Sequence, residues 1–99
     1  APIDVLPSVV REVGDRMTVI VDSGFRRGSD ILKGLALGAD AVIVGRATLY
    51  GVAAAGEPGA TRALEILQIE LHRTMGVMGL TDLSQITRDH VVLPHELPL

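Results

Sequence analysis

Two short stretches carry most of the chemistry that this sequence offers, Asp22-Ser23-Gly24-Phe25-Arg26 and Gly45-Arg46. Glycines at a strand end let backbone N–H groups close on a phosphate, and arginines add charge-assisted hydrogen bonds that can be bidentate. Read singly, a glycine serves a tight turn and an arginine is a solvated charge. Read together, Gly24, Arg26, Gly45 and Arg46 point to phosphate binding, because four suitable residues follow two neighbouring strands. Asp22 closes a strand of otherwise uncharged residues, where a carboxylate is costly without a hydrogen-bond partner. It is therefore expected to have one, and three roles stay open for it: accepting from sugar-like hydroxyls, capping the loop, or pairing with Arg26. Arg27 reads as a surface residue, and Gly38, Gly51, Gly56 and Gly59 read as turn glycines. His72 falls on a helix and His90 and His95 fall in the C-terminal stretch, where packing or solvation outweighs a catalytic role.

The elements that must position these residues follow from periodicity. A first helix is predicted from Asp4, as N-cap, to about Val13, with Pro7 in its opening turn, Leu6, Val9, Val10 and Val13 on one face, and Gly14 and Asp15 stopping it. Residues 17 to 21 form a β-branched run too short for a helix, predicted as a strand buried on both faces. A second helix carries Ile31, Leu32, Leu35 and Ala36, with Ser29 or Asp30 as cap and Gly38 as stop. Residues 41 to 44 are the next strand. A short helix over residues 48 to 55, a turn at 56 to 59 and a long helix over about 60 to 78 follow, the last with a stripe of Leu64, Leu67, Leu71, Met75 and Met78. Thr81 is predicted to cap one more helical turn ahead of an aperiodic, Pro-containing tail.

Composition narrows the class. The chain of 99 residues is 47 % hydrophobic with one Phe, one Tyr and no Trp, so its core must be aliphatic, as in a parallel α/β sheet. Nine basic against twelve acidic residues give a net charge of −3, which supplies no attraction to nucleic acid. The absence of cysteine excludes disulfides and thiolate metal sites, and no metal site is expected. No apolar run approaches the roughly 20 residues of a membrane span, and the first residues lack the pattern of a signal peptide. The chain reads as beginning partway through a larger protein. Two parallel strands cannot cover both faces of a sheet, and the last two βα units of a (β/α)₈ barrel of about 250 residues make up roughly this length. The expected fold is therefore α/β, the C-terminal part of such a barrel. Residues 1–86 would form the barrel quarter and residues 87–99 a tail.

The stretch DSGFRRGSDILKGLALGADAVIVGRATLY, continuing through GVAAAGEPG and the helix ending in MGLTDL, resembles the FMN-dependent α-hydroxy-acid oxidases and dehydrogenases. Family members act on glycolate, L-lactate or (S)-mandelate, and the mandelate branch is the nearest. The resemblance covers about Ile3 to Thr87. It implies that Asp22 binds ribityl hydroxyls of FMN, that Ser23, Gly24 and Arg26 bind its phosphate, and that Gly45 and Arg46 complete the site. Ser23 stands where many members have Gly. The family's catalytic histidine and substrate-binding arginine belong to a HisGlyGlyArg-type segment expected ahead of Ala1, so no catalytic residue is assigned within the chain.

The resemblance further implies oxidation of an (S)-2-hydroxy acid, mandelate- or lactate-like, to the 2-oxo acid. It implies as partners the N-terminal remainder of the barrel, the small 2-hydroxy acid and further copies in a tetramer or octamer. A cytoplasmic location, free or peripheral to the inner membrane, is expected. The rival readings are another phosphate-binding barrel, similar to inosine-monophosphate dehydrogenase or type 2 isopentenyl-diphosphate isomerase, and a noncatalytic fragment. ArgArgGlySerAsp at 26–30 and GlyArgAlaThrLeuTyrGly at 45–51 favour the hydroxy-acid family.

Overall fold

The computed structural model describes residues 1–98. Its elements are α1 (Pro2–Val13), β1 (Ile20–Asp22), α2 (Gly28–Ala36), β2 (Ala41–Ile43) and α3 (Arg46–Val77), followed by 3₁₀ turns at Leu83–Gln85, Arg88–His90 and Pro94–Glu96. The strands pair in parallel, Ile20 with Ala41, Val21 with Val42 and Asp22 with Ile43. Strand, helix and parallel strand thus succeed one another with short connections, the βαβ arrangement that brings two strand ends to the same edge.

Helix α1 starts earlier than Asp4. Pro2 opens it, where a missing N–H costs nothing, and Asp4 sits in the first turn beside the Ala1 ammonium at 3.1 Å without capping. Pro7 consequently lies inside the helix rather than in its opening turn. Asp30 and Ser29 are likewise not the cap of α2; Arg27 is the N-cap residue and Asp30 stands three places on, accepting from the Arg27 N–H.

Strand β1 is shorter than its apolar run. The Asp40 carboxylate takes the Val19 N–H at 2.8 Å while the Asp40 N–H donates to the Val19 carbonyl at 2.8 Å, so a side chain replaces the ladder just before the strand proper. Burial on both faces is expected of the sheet with its partners present; among the described residues only one face is covered. Val21 is 5 % exposed but Ile20 is 56 % and Ile43 49 % exposed, because α1 and α2 pack over one face and nothing among the described residues covers the other. The core beneath those helices joins Leu6, Val19, Val21, Phe25, Leu37 and Ala39.

The short and long helices expected after β2 run together as α3, broken only where Ala55 and Gly56 leave helical angles. Pro58, expected in a turn, falls in the first turn of the second segment. Gly51 and Gly59 do more than turn the chain. A Cβ on Gly59 would lie 1.9 Å from the Gly51 carbonyl oxygen, so the two segments cross at a distance that only glycine permits. Along the second segment Leu67 and Met75 are buried against the rest of the chain, whereas Leu64 and Met78 remain exposed.

The turn after Thr81 is capped by Asp82, whose carboxylate accepts from the Ser84 N–H, while the Thr81 N–H donates to the Gln85 side chain. The stretch expected to be aperiodic contains two further 3₁₀ turns and lays Val91 and Leu93 on the core. No helix among the described residues is long and apolar enough to cross a membrane.

Candidate functional site

At the end of β1 the chain turns through Ser23 and Gly24, whose φ angles are 84° and 90°. Glycine adopts this conformation freely and serine does not, so Ser23 holds a backbone that its side chain disfavours. Beyond Phe25, three consecutive amides are held by carboxylates. Asp30 Oδ2 accepts from the N–H groups of Arg26 and Arg27, each at 3.0 Å, and Glu70 Oε1 accepts from that of Gly28 at 2.9 Å. Phe25, 6 % exposed, anchors the loop in the core.

The second half of the site comes from β2. Ile43 ends that strand, Gly45 is the N-cap residue of α3, and Arg46 and Ala47 are its first residues. Thr48 Oγ1 donates to the Gly45 carbonyl at 2.9 Å. Because β1 and β2 are parallel neighbours, the β1–α2 loop and the start of α3 open on one cavity of about 490 Å³.

Asp22, Ser23, Gly24, Arg26, Gly45 and Arg46 all line this cavity. Phe25, Ile43, Ala47 and Tyr50 line it too and were not singled out in the sequence. Tyr50 was findable, since it lies one helical turn beyond Arg46 and so shares its face. His72, His90 and His95 are not among the lining residues; the His90 ring nitrogen Nδ1 accepts from the Thr87 N–H instead.

The electrostatics favour an anion at one end. Among the described residues neither the Arg26 nor the Arg46 guanidinium has an ion pair or a hydrogen bond, while Arg27 is paired to Glu70 at 2.9 Å. The first N–H groups of α3 have no acceptor within the helix and add the positive end of its dipole. A Cβ built on Gly24 or Gly45 meets nothing within 4 Å, so both glycines border open space. Asp22 differs from expectation. It is exposed and makes no hydrogen bond or ion pair with the described residues, so it is not paired with Arg26 and lines the cavity with its carboxyl group uncommitted. Among the described residues lining the cavity there is no nucleophile beside a base, and two guanidinium groups with a helix N-terminus suit an anionic group in a cavity of ordinary ligand size.

Arg27 was read as a surface residue and is one, with its side chain 70 % exposed, but it is paired rather than freely solvated. It reaches across to α3, where Nε and the terminal nitrogen engage both oxygens of Glu70. A bidentate partner forty-odd residues away leaves no local signal in sequence.

Comparison with known proteins gives consistent relatives. A family model described as FMN-dependent dehydrogenase matches residues 1–93. Glycolate oxidase 2 of Oryza sativa subsp. indica is 50 % identical over 92 residues, covering 93 % of this chain and 25 % of its own length. (S)-Mandelate dehydrogenase of Pseudomonas putida is 47 % identical over 91 residues, covering 92 % of this chain and 23 % of its own. Among solved structures, a soluble mutant of the membrane-associated (S)-mandelate dehydrogenase from Pseudomonas putida superposes with a TM-score of 0.85 at 48 % identity, over 90 % of this chain and 25 % of that one. A flavocytochrome b2 mutant with benzoylformate gives a TM-score of 0.83 at 39 % identity, over 90 % and 24 % respectively. The chain spans about a quarter of the length of the curated relatives it matches.

Proposed function

The chain belongs to the FMN-dependent dehydrogenase family, and from that premise we propose that it is the part of a (β/α)₈ barrel that holds the FMN phosphate and ribityl chain in an enzyme oxidising an (S)-2-hydroxy acid, mandelate- or lactate-like, to the 2-oxo acid. The observation that carries this is the shared cavity at two parallel strand ends, lined by two arginines without an ion pair among the described residues, two open glycines and an exposed aspartate. Residues 1–86 form the barrel's C-terminal quarter and residues 87–99 its tail.

Bound FMN would supply the acceptor for the two electrons that leave the hydroxy acid. Arg26 and Arg46 neutralise its phosphate with charge-assisted hydrogen bonds, and the N–H groups of Gly24 and of the start of α3 complete the anion's shell. The Ser23 N–H is equally available. Asp22 accepts from ribityl hydroxyls, which needs an accessible carboxyl group free of other partners, as found among the described residues. Together these contacts fix the flavin by the end remote from its reacting ring, so this segment orients the cofactor and the proton is removed by a histidine elsewhere in the barrel. The other partners are the preceding strands and helices of the barrel and, in the assembled enzyme, further copies. The enzyme works in the cytoplasm, free or against the inner face of the membrane; the similar (S)-mandelate dehydrogenase is itself described as monotopic.

The test is an Arg46→Ala substitution in the complete holoenzyme, with FMN affinity and turnover measured separately. FMN dissociation is expected to rise about ten- to a hundredfold, the worth of one or two hydrogen bonds to a charged group, while kcat at saturating FMN changes far less. Equal FMN affinity in the variant would remove Arg46 from the site.

A further inference from the structure

Adjacent arginines pose a problem at an anion site, since Arg26 and Arg27 carry the same charge on neighbouring residues and only Arg26 lines the cavity. Glu70 resolves it. Its carboxylate binds the Arg27 guanidinium through Nε, at 3.1 and 3.0 Å, and through a terminal nitrogen at 2.9 Å. The same carboxylate accepts the Gly28 N–H at 2.9 Å. Gly28 is buried directly on α3, where a Cβ would come within 2.2 Å of the Leu71 amide nitrogen and 2.5 Å of the Glu70 carbonyl carbon. One carboxylate on α3 thus holds both the backbone and the second arginine of the β1–α2 loop, on the side away from the cavity.

We propose that Glu70 is a positioning residue for the flavin phosphate: by drawing Arg27 and the Gly28 amide to α3, it sets the loop so that Arg26 alone is presented to the anion. This rests on the FMN reading above and extends it to a residue that does not line the cavity. Asp30 assists from within α2 by taking the N–H groups of Arg26 and Arg27, so three consecutive amides are committed to carboxylates and cannot swing toward the ligand. A charge-assisted, bidentate contact is directional enough for this purpose even where it adds little to overall stability.

The experiment compares FMN with riboflavin, which has the same ring and ribityl chain but no phosphate, in the complete protein carrying Glu70→Ala, Glu70→Gln or Arg46→Ala. Glu70→Ala is expected to raise the FMN dissociation constant about tenfold and to leave that of riboflavin within about twofold, since a lost phosphate contact is a charged hydrogen bond. Glu70→Gln, which keeps an acceptor for the Gly28 N–H but releases Arg27, is expected to fall between wild type and Glu70→Ala, and it carries the test if the alanine variant does not fold. Unchanged FMN affinity in the Glu70 variants alongside a weakened Arg46→Ala would overturn the role of Glu70 alone. Equal losses for FMN and riboflavin would reduce Glu70 to a general structural support and overturn the proposal too. If Arg46→Ala also leaves the FMN-to-riboflavin preference intact, the phosphate assignment itself fails.

Discussion

Ser23 and Gly45 are the residues at which backbone conformation and ligand space can be separated experimentally. Ser23 holds a φ of 84°, a left-handed conformation that costs an L-residue roughly 1–2 kcal/mol. Ser23→Gly removes that strain but adds freedom to the unfolded chain, worth about 0.5–1 kcal/mol in the other direction. The net expectation is a stabilisation of up to about 1 kcal/mol in denaturant titration; a loss would reveal that the hydroxyl makes a contact of its own. Gly45 presents the opposite case. Its angles, −84° and −61°, suit any residue, and a Cβ there meets no protein atom within 4 Å. Gly45→Ala should therefore stabilise the flavin-free protein by about 0.4–1 kcal/mol, through the stiffer unfolded chain, while weakening FMN binding, and an unaltered FMN affinity would show that the space beside Gly45 is not used.

The elements are joined by close approach and by carboxylates rather than by large side chains. The two segments of α3 cross at Gly51 and Gly59, with backbone facing backbone, so neither can yield to an added methyl group. Gly59→Ala is expected to cost about 1–3 kcal/mol in thermal unfolding, the usual range for overpacking. The carboxylates set the acid limit. Glu70 lies below its ordinary value of 4.5, chiefly through the Arg27 hydrogen bond and then that of the Gly28 amide; Asp82 lies below 3.8 through Ser84; and Glu96 lies below 4.5 through Arg88 and the Leu93 amide. Groups whose folded pKa is depressed stabilise above the unfolded value and lose that contribution as pH falls through the folded one. The fold should accordingly be insensitive to these three groups from neutral pH down to about 5 and weaken as pH drops below about 4, a course that circular dichroism against pH follows directly. In Glu70→Gln the acid transition should become shallower, because one of the titrating anchors is gone.

For the molecule as a whole the telling feature is the uncovered sheet face. Ile20 and Ile43 are about half exposed on a two-stranded parallel sheet, a structure that ordinarily has helices or further strands on both sides. If this chain is a barrel quarter, as proposed, Ile20 is buried in the complete protein. Ile20→Ser should then cost about 1.5–3 kcal/mol or more, the worth of a buried isoleucine side chain. A change within about 0.5 kcal/mol, typical of a surface position, would show that the face stays in water and would argue against the barrel.

Much of this was legible in the residues. The alternation of apolar runs and glycine stops identified both strands and all the main helices, since hydrophobic period and chain-breaking residues act locally. Asp22, Gly24, Arg26, Gly45 and Arg46 could be singled out because they stand at or within a few residues of a strand end, and two parallel strands bring their ends together whatever the details of packing. Strand lengths, by contrast, depended on Asp40 reaching back to Val19, and the starts of α1 and α2 on which residue happened to supply or need a cap. The crossing of Gly51 and Gly59 and the Arg27–Glu70 latch join residues far apart in the chain or across a bend. Such contacts exist only once the segments of α3 have crossed and α2 has packed on α3, so no spacing rule along the sequence can anticipate them; the choice of Arg26 over Arg27 was legible, but the partner that holds Arg27 was not.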